Sequence, residues 1–210
     1  MNMSYFDFHH HKLNINNGIY NLELYKKVPD TLFSAGIHPK DINENNFTRQ
    51  IDWLKNSITE NCFAIGECGL DSTVTANVEI QNKVFLEQIN IANEFKKPLI
   101  IHCVKRFSEL IPFKKKSELP MILHGFNKKQ AVADSLLSNN FYLSFGKPVL
   151  YNLSLQNTLQ ETPLDKIFLE TDDADFNIEE LYHKVSEIKN ISVEDLQDQI
   201  STNLDTIKNG

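Results

Sequence analysis

Seven short apolar runs recur along the 210-residue chain, at residues 5–8, 32–37, 63–65, 98–101, 121–123, 141–145 and 167–169. Each is bounded by polar residues or glycine. Runs this short and this uniformly apolar suit strands buried on both faces of a parallel sheet. Helical periodicity fills the intervals between them. Phe47, Ile51, Leu54 and Ile58 share one helix face, as do Phe85, Ile89 and Ala92, with Phe95 beside them. Asn127 is expected to cap a helix carrying Ala131 and Leu136. Asn177 precedes Ile178, Leu181, Tyr182, Val185 and Ile188. Ser192-Val193-Glu194-Asp195 resembles a weak capping box before Leu196, Ile200, Leu204 and Ile207. Strand–helix alternation repeated this often predicts an α/β fold, either a barrel or a doubly wound sheet. Neither GxGxxG nor a Walker A motif occurs, which removes support from the nucleotide-binding doubly wound folds. Residues 12–31 break the pattern: they carry no amphipathic helix, and 18–22 reads as one short strand. With no linker, repeat or low-complexity segment, residues 1–210 are expected to form one domain.

The histidines sharpen this reading. Of seven, His9, His10, His11, His38, His102 and His124 sit at or just past the C-terminal ends of predicted strands, and only His183 falls in a helix pattern. In a parallel barrel those ends converge on one mouth, where active sites are built. His9 and His11 share a side of their strand, because side chains alternate with period two, so both imidazoles can reach one metal ion. His10 points the other way and reads as a bystander. Asp7 shares their parity but lies deeper, a position from which it can orient a ligand. Glu67 follows Gly66 at the end of the third run, while Asp71 reads more simply as a turn or cap residue. His102 and His124 each end an apolar run. Glu170 and Asp172 share parity on the last strand. Asp172, nearer the mouth, is the candidate for metal contact and proton transfer, and Glu170 for a buried support. Asp173 reads as a loop residue. Four imidazoles and two carboxylates are the ligand count of a two-metal hydrolytic site.

These motifs, in this order, resemble the TatD-type metal-dependent hydrolases, a family of amidohydrolase-like TIM barrels. Asp7-Phe8-His9-His10-His11 resembles the family's D-x-H-x-H, Gly36-Ile37-His38-Pro39 its G-x-H-P, and Gly66-Glu67-Cys68-Gly69-Leu70-Asp71 its G-E-x-G-L-D. The strand ending at His102, then His124-Gly125-Phe126, then Leu169-Glu170-Thr171-Asp172 complete the set. The resemblance implies a TIM-type barrel, shortened or distorted near its second strand–helix unit, with two divalent cations. It also implies hydrolysis of phosphoesters, as in a deoxyribonuclease. Mapped onto this chain, His9, His11 and Asp172 would hold one metal, His102 and His124 the other, and Glu67 would bridge them. Glu67 and Asp172 are then the candidate catalytic carboxylates. His38, Lys40, Lys105 and Arg106 are the candidate substrate contacts. The chain also departs from the pattern. Lys40 stands where the family has a second histidine after the proline. His102-Cys103-Val104 replaces H-x-R, and His124-Gly125-Phe126-Asn127-Lys128 replaces H-C-F-S-G.

Composition bounds the partner. Lys and Arg number 21 against 28 Asp and Glu, a net charge of −7, which argues against a broad basic groove for duplex DNA. It leaves room for a local phosphate site and for single-stranded DNA ends, because bound cations supply positive charge that composition does not show. Lys114-Lys115-Lys116 reads as a solvated charge run rather than a nucleic-acid patch. Imidazole-rich ligands with carboxylates suit Zn²⁺, Mn²⁺ or Fe²⁺ better than Mg²⁺, although the resemblance admits Mg²⁺ as well. The three cysteines, Cys62, Cys68 and Cys103, form no CxxC pair. With no signal-peptide pattern and no run near the ~20 apolar residues of a membrane span, they fit a reducing, cytoplasmic setting. Two further readings stay open: a metal-dependent amidohydrolase or esterase on a small substrate, and a non-catalytic barrel that retains its metals.

Overall fold

The computed structural model describes residues 5–209. Eight strands lie parallel in one sheet, each hydrogen-bonded to the next in chain order. They are β1 (Asp7–His10), β2 (Gly18–Leu22), β3 (Phe33–Ala35), β4 (Cys62–Asp71), β5 (Leu99–Val104), β6 (Met121–Leu123), β7 (Phe141–Phe145) and β8 (Ile167–Leu169). The sheet closes on itself just beyond β8. The Asp172 amide donates to the His9 carbonyl at 2.9 Å, and the His11 amide donates to the Asp172 carbonyl at 3.3 Å. The fold is the TIM-type barrel that the alternation implied.

Seven helices follow within the described residues: α1 (Phe47–Ser57), α2 (Val78–Phe95), α3 (Phe107–Lys114), α4 (Gln130–Leu137), α5 (Leu153–Glu161), α6 (Ile178–Lys189) and α7 (Val193–Asn209). The shortening falls on helices and not on strands. β2 forms at residues 18–22, as its sequence suggested, but residues 11–17 and 23–32 connect β1, β2 and β3 without any helix. Each of the other connections carries at least one. That loss accounts for much of the difference from a typical barrel of ~250 residues.

The core is aromatic-rich. Phe8 stacks on Phe168 with ring centroids 4.1 Å apart, and Phe33, Phe141 and Phe145 are fully buried. At the closure, Tyr182 of α6 donates to the Phe6 carbonyl at 2.9 Å and packs edge-on against Tyr5. None of the helices of the described residues is long and apolar enough to cross a membrane.

Two local expectations are corrected. Asn127 does not cap α4, which starts at Gln130 behind Lys129 with no side-chain cap. The Asn127 Oδ1 instead accepts from Asn152. The third apolar run does not stop at Ile65. β4 runs on to Asp71, because β5 continues alongside it and pairs Asp71 with Val104. Glu67 therefore lies inside a strand and not in the loop after one. The caps at Asn177 and Ser192 form, accepting from the amides of Glu179 and Asp195. Lys114 ends α3, so Lys114-Lys115-Lys116 lies at the rim opposite the strand C-termini; Lys115 and Lys116 are exposed, whereas Lys114 is half-buried.

Candidate metal centre

At the mouth of the barrel a single carboxylate gathers imidazoles from four strands or strand ends. Glu67 Oε1 lies 2.8 Å from His124 Nε2, 3.0 Å from His102 Nδ1 and 3.3 Å from His38 Nε2. Its other oxygen faces His9 Nε2 at 3.7 Å and His11 Nε2 at 4.0 Å. Glycines on either side make this placement possible. Gly66 and Gly69 both hold positive φ, at 154° and 140°. A Cβ would come within 2.5 Å of the Ile100 carbonyl oxygen at Gly66 and within 2.1 Å of the His102 carbonyl oxygen at Gly69. Only glycine lets β4 press this close to β5.

Burial opposes ionisation of Glu67. The charge of His124 and the hydrogen bonds of His102, His124 and His38 outweigh it and hold the carboxyl well below its usual range. His124 shows the reverse balance. Burial favours its neutral ring, but Glu67 and Glu170 raise its pKa well above the ordinary histidine value.

A second subset sits at the closure. Asp172 Oδ1 lies 3.3 Å from His11 Nε2 and 3.7 Å from His9 Nε2. Its backbone, at a φ of 54°, is pinned between His9 and His11 by the two closing hydrogen bonds. Burial tends to raise the Asp172 pKa, and the His11 hydrogen bond with the charges of His124 and His9 lowers it. His11 is correspondingly raised, mainly by its bond to Asp172.

His9 is the most informative side chain. It is fully buried, and neither ring nitrogen has a hydrogen-bond partner among the described residues. An unsatisfied buried imidazole is costly. Yet its Nε2 stands 3.7 Å from a Glu67 oxygen and 3.7 Å from an Asp172 oxygen. That is too long for a hydrogen bond. It is close to the roughly 3.4 Å that separates two tetrahedral ligands ~2.1 Å from a shared ion. The residues fit divalent metal. The candidate groups are His9–His11–Asp172, His9–Glu67–His124, His38–Glu67–His102 and His124–Glu170–Asp172, each with donor atoms within 4.8 Å of one another. All six expected ligands thus converge, and Glu67 spans the two sides. In these groups His102 pairs with His38 and not with His124.

Behind the cluster lie supporting carboxylates. Asp71, read from sequence as a turn or cap residue, accepts from the Thr73 amide at 2.7 Å and Thr73 hydroxyl at 2.6 Å. Its second oxygen sits 3.1 Å from His102 Nε2. Glu170 supports as expected: it accepts from the Gly125 amide at 2.5 Å and from the Ser144 hydroxyl, and lies 3.6 Å from His124 Nδ1. Asp7 differs from expectation. It makes no hydrogen bond to a histidine and instead accepts from the Thr171 amide at 2.9 Å and hydroxyl at 2.6 Å, tying β1 to the end of β8. Burial raises its pKa to about 6. Asn21 was missed altogether. Its side chain accepts from the Glu67 amide at 3.2 Å and approaches Glu67 Oε2 at 3.4 Å. A lone amide inside the otherwise apolar 19–22 run was the available signal.

The expected substrate contacts divide. The His38 Nδ1 accepts from the Lys40 amide at 3.0 Å, which leaves Nε2 as the donor toward Glu67. Lys40 is exposed and lines, with His11, Asn21 and His38, an opening of about 280 Å³. Lys105 is exposed at a φ of 57° and lines none of the cavities at the mouth. Arg106 is a correction. The turn at Lys105 buries its guanidinium, which is spent on Glu109 at 2.5 and 2.9 Å, Gln81 at 3.1 Å and Asn82 at 2.9 Å. His10 is buried against Gly18 and Tyr20, and burial pushes its pKa down to about 4.

Comparison with known proteins adds the wider setting. The family profile described as "TatD related DNase" matches residues 8–208. An "Uncharacterized metal-dependent hydrolase" of Buchnera aphidicola subsp. Baizongia pistaciae is 34% identical over 164 residues, covering 75% of this chain and 62% of that protein. "Putative deoxyribonuclease tatdn3" of Danio rerio is 28% identical over 189 residues, covering 82% and 69%. The chain thus spans about three-fifths of the length of the first of these relatives. The crystal structure of YJJV, a TATD homolog from Escherichia coli k12, superposes with a TM-score of 0.81 at 16% identity, covering 98% of this chain and 97% of that one.

Proposed function

Because the chain belongs to the TatD-related DNase family, we propose that it is a divalent-metal-dependent hydrolase of phosphoester bonds, acting at single-stranded DNA ends or on a related phosphodiester. The observation that carries this reading is His9, buried with neither nitrogen hydrogen-bonded among the described residues and with its Nε2 equidistant from two carboxylate oxygens. His9, His11 and Asp172 would hold one cation. His102 and His124 would hold the other, and Glu67 would lie between, with His38 also in reach of the second. Two bound cations supply Lewis acidity for the phosphoryl oxygen and a lowered pKa for the attacking water.

The protein's own groups do the rest. Glu67, held ionised by its histidines, supplies negative charge to both sides at once. Asp172 is the carboxylate open to the mouth, with about a third of its side chain exposed, and its pKa is held low. It orients the attacking water and takes its proton. His38 and Lys40 meet the substrate from the opening that they line. The acidic net charge favours a strand end entering the mouth over a duplex lying across it.

The test combines metal analysis with turnover. Protein loaded with Zn²⁺, Mn²⁺ or Mg²⁺ is assayed on a single-stranded oligonucleotide, a chromogenic phosphodiester and a chromogenic ester. Phosphodiester cleavage that disappears in Glu67→Ala and Asp172→Ala is the expected result. Ester cleavage alone would overturn the phosphoester reading in favour of an esterase. Full metal occupancy without turnover on any substrate would leave a metal-binding barrel that is not a hydrolase.

A further inference from the structure

We propose that Lys128 forms an anion subsite beside the metal centre and binds a non-bridging phosphate oxygen of the substrate. The proposal rests on the phosphoester reading above and names the residue that would hold the phosphate on the His102 side.

A cavity of about 200 Å³ opens there. His102, His124 and Asp172 line it together with Val104, Phe107 and Lys128. Lys128 is the one lysine or arginine among its lining residues. The ammonium stands 5.6 Å from the centre of the Phe107 ring, so an aromatic face on the same wall steadies its stem. Among the described residues it has no carboxylate within ion-pairing distance, and it makes no hydrogen bond to them.

The other cations near the mouth are committed or placed elsewhere. Lys12 is paired with Asp175 at 2.9 Å, and Lys147 donates to the Asp175 carbonyl at 3.2 Å. Arg106 is buried among Glu109, Gln81 and Asn82. Lys40 lies across the mouth, in an opening that also contains Glu23 and Asp41. A phosphodiester bound between Asp172 and His102 therefore finds its uncommitted positive charge at Lys128. A point charge on a flexible stem suits a phosphate oxygen.

The sequence departures fall in the same cavity. Val104 occupies the arginine position of H-x-R, and Lys128 the glycine position of H-C-F-S-G. Both line this one space, Val104 at the end of β5 and Lys128 in the loop after the neighbouring β6.

The experiment uses the full chain loaded with Mn²⁺. Binding of inorganic phosphate is measured by calorimetry, and steady-state kinetics are measured on bis(p-nitrophenyl) phosphate. Lys128→Ala should weaken phosphate binding and raise KM about tenfold, the scale of one lost charge-assisted hydrogen bond, with kcat changed less than about twofold. Lys128→Arg should keep both values near wild type. The double variant V104R/K128G should recover binding lost in Lys128→Ala. If Lys128→Ala binds phosphate and substrate as wild type does, or if Lys128→Arg is as impaired as Lys128→Ala, the subsite is overturned. Lys128-dependent phosphate binding without any phosphodiester turnover would keep the subsite and overturn the phosphoester activity. Turnover that ignores Lys128 would do the opposite.

Discussion

The two sides of the candidate metal centre are built in opposite ways. On one side, His102 is held from behind: Asp71 faces its Nε2, and Thr73 fixes Asp71 with two short hydrogen bonds. On the other side, His9 has no hydrogen-bond partner among the described residues, and its neighbours stand at ligand spacing. The first side has its imidazole oriented without metal. The second has its imidazole buried without a partner among the described residues, at a spacing where a cation between it and two carboxylates would satisfy it. A second contrast runs along the same line. β1, which carries His9 and leads into His11, is followed by no helix, whereas β5, which carries His102, is followed by α3. Strand ends, and not the helices around them, are what the site requires. The barrel could shed helices from one flank and keep its ligand positions.

The largest effect is expected where the two sides meet. Glu67→Gln keeps the shape but halves the acceptor capacity and removes the charge shared by both subsets. It should lower phosphodiester turnover by roughly a thousandfold or more, the scale of several kcal/mol of lost charge stabilisation. Metal analysis should show occupancy reduced on both sides. Occupancy that stays full would break the view that Glu67 joins them.

Asp71→Asn probes the oriented side alone. Loss of a carboxylate behind a ligating histidine costs about 10- to 100-fold in metal affinity or activity. The expected outcome in a competition titration is one weakened site and one unchanged. Two equally weakened sites would show that the two sides are not separable.

How much of this was legible beforehand follows from the range of the interactions involved. His9, His11, His102, His124, Glu67 and Asp172 could be brought together from sequence because strand periodicity and barrel convergence are regular. Asp71 could not. Its position depends on β4 continuing past two glycines, which is decided by pairing with β5 and not by local pattern. Arg106 misled because nearness to His102 in sequence is undone by one left-handed residue, Lys105, that turns the next side chain inward. α3 went unread because Pro112 sits inside it, and α5 because its face toward the barrel is only Leu155, Thr158 and Leu159. Asn21 was hidden by the strand's apolar neighbours, although its amide serves Glu67.

A smaller effect distinguishes metal from proton. His124 is raised well above its ordinary pKa by Glu67 and Glu170, which favours the protonated ring in the metal-free protein. A ligating imidazole must be neutral, and metal uptake therefore releases that proton. Metal affinity should rise with pH through and beyond the ordinary histidine range of ~6.5. The release should be visible as a buffer-dependent calorimetric heat that is lost in His124→Gln. A pH-independent affinity would mean that the His124 side does not bind through its imidazole.

The smallest expected effect concerns Asp7, which ties β1 to the end of β8 beneath the partner-poor side. Its carboxyl is raised to about 6 by burial, against an unfolded value of ~3.9. A raised carboxyl binds more protons folded than unfolded between those two values. Its contribution to stability is therefore favourable below pH ~4 and is lost as pH rises through 6. Asp7→Asn keeps an acceptor for the Thr171 amide and does not titrate. In chelator-treated protein, the melting temperature of the wild type relative to Asp7→Asn should fall as pH rises from 4 to 6, then stay level. Bound cations would favour the charged form of Asp7 and flatten that difference. If the difference is the same with and without Mn²⁺, Asp7 does not sense the side of the centre that lacks hydrogen-bonded support. The contrast between the two sides would then stop at His9 and not extend to the strand beneath it.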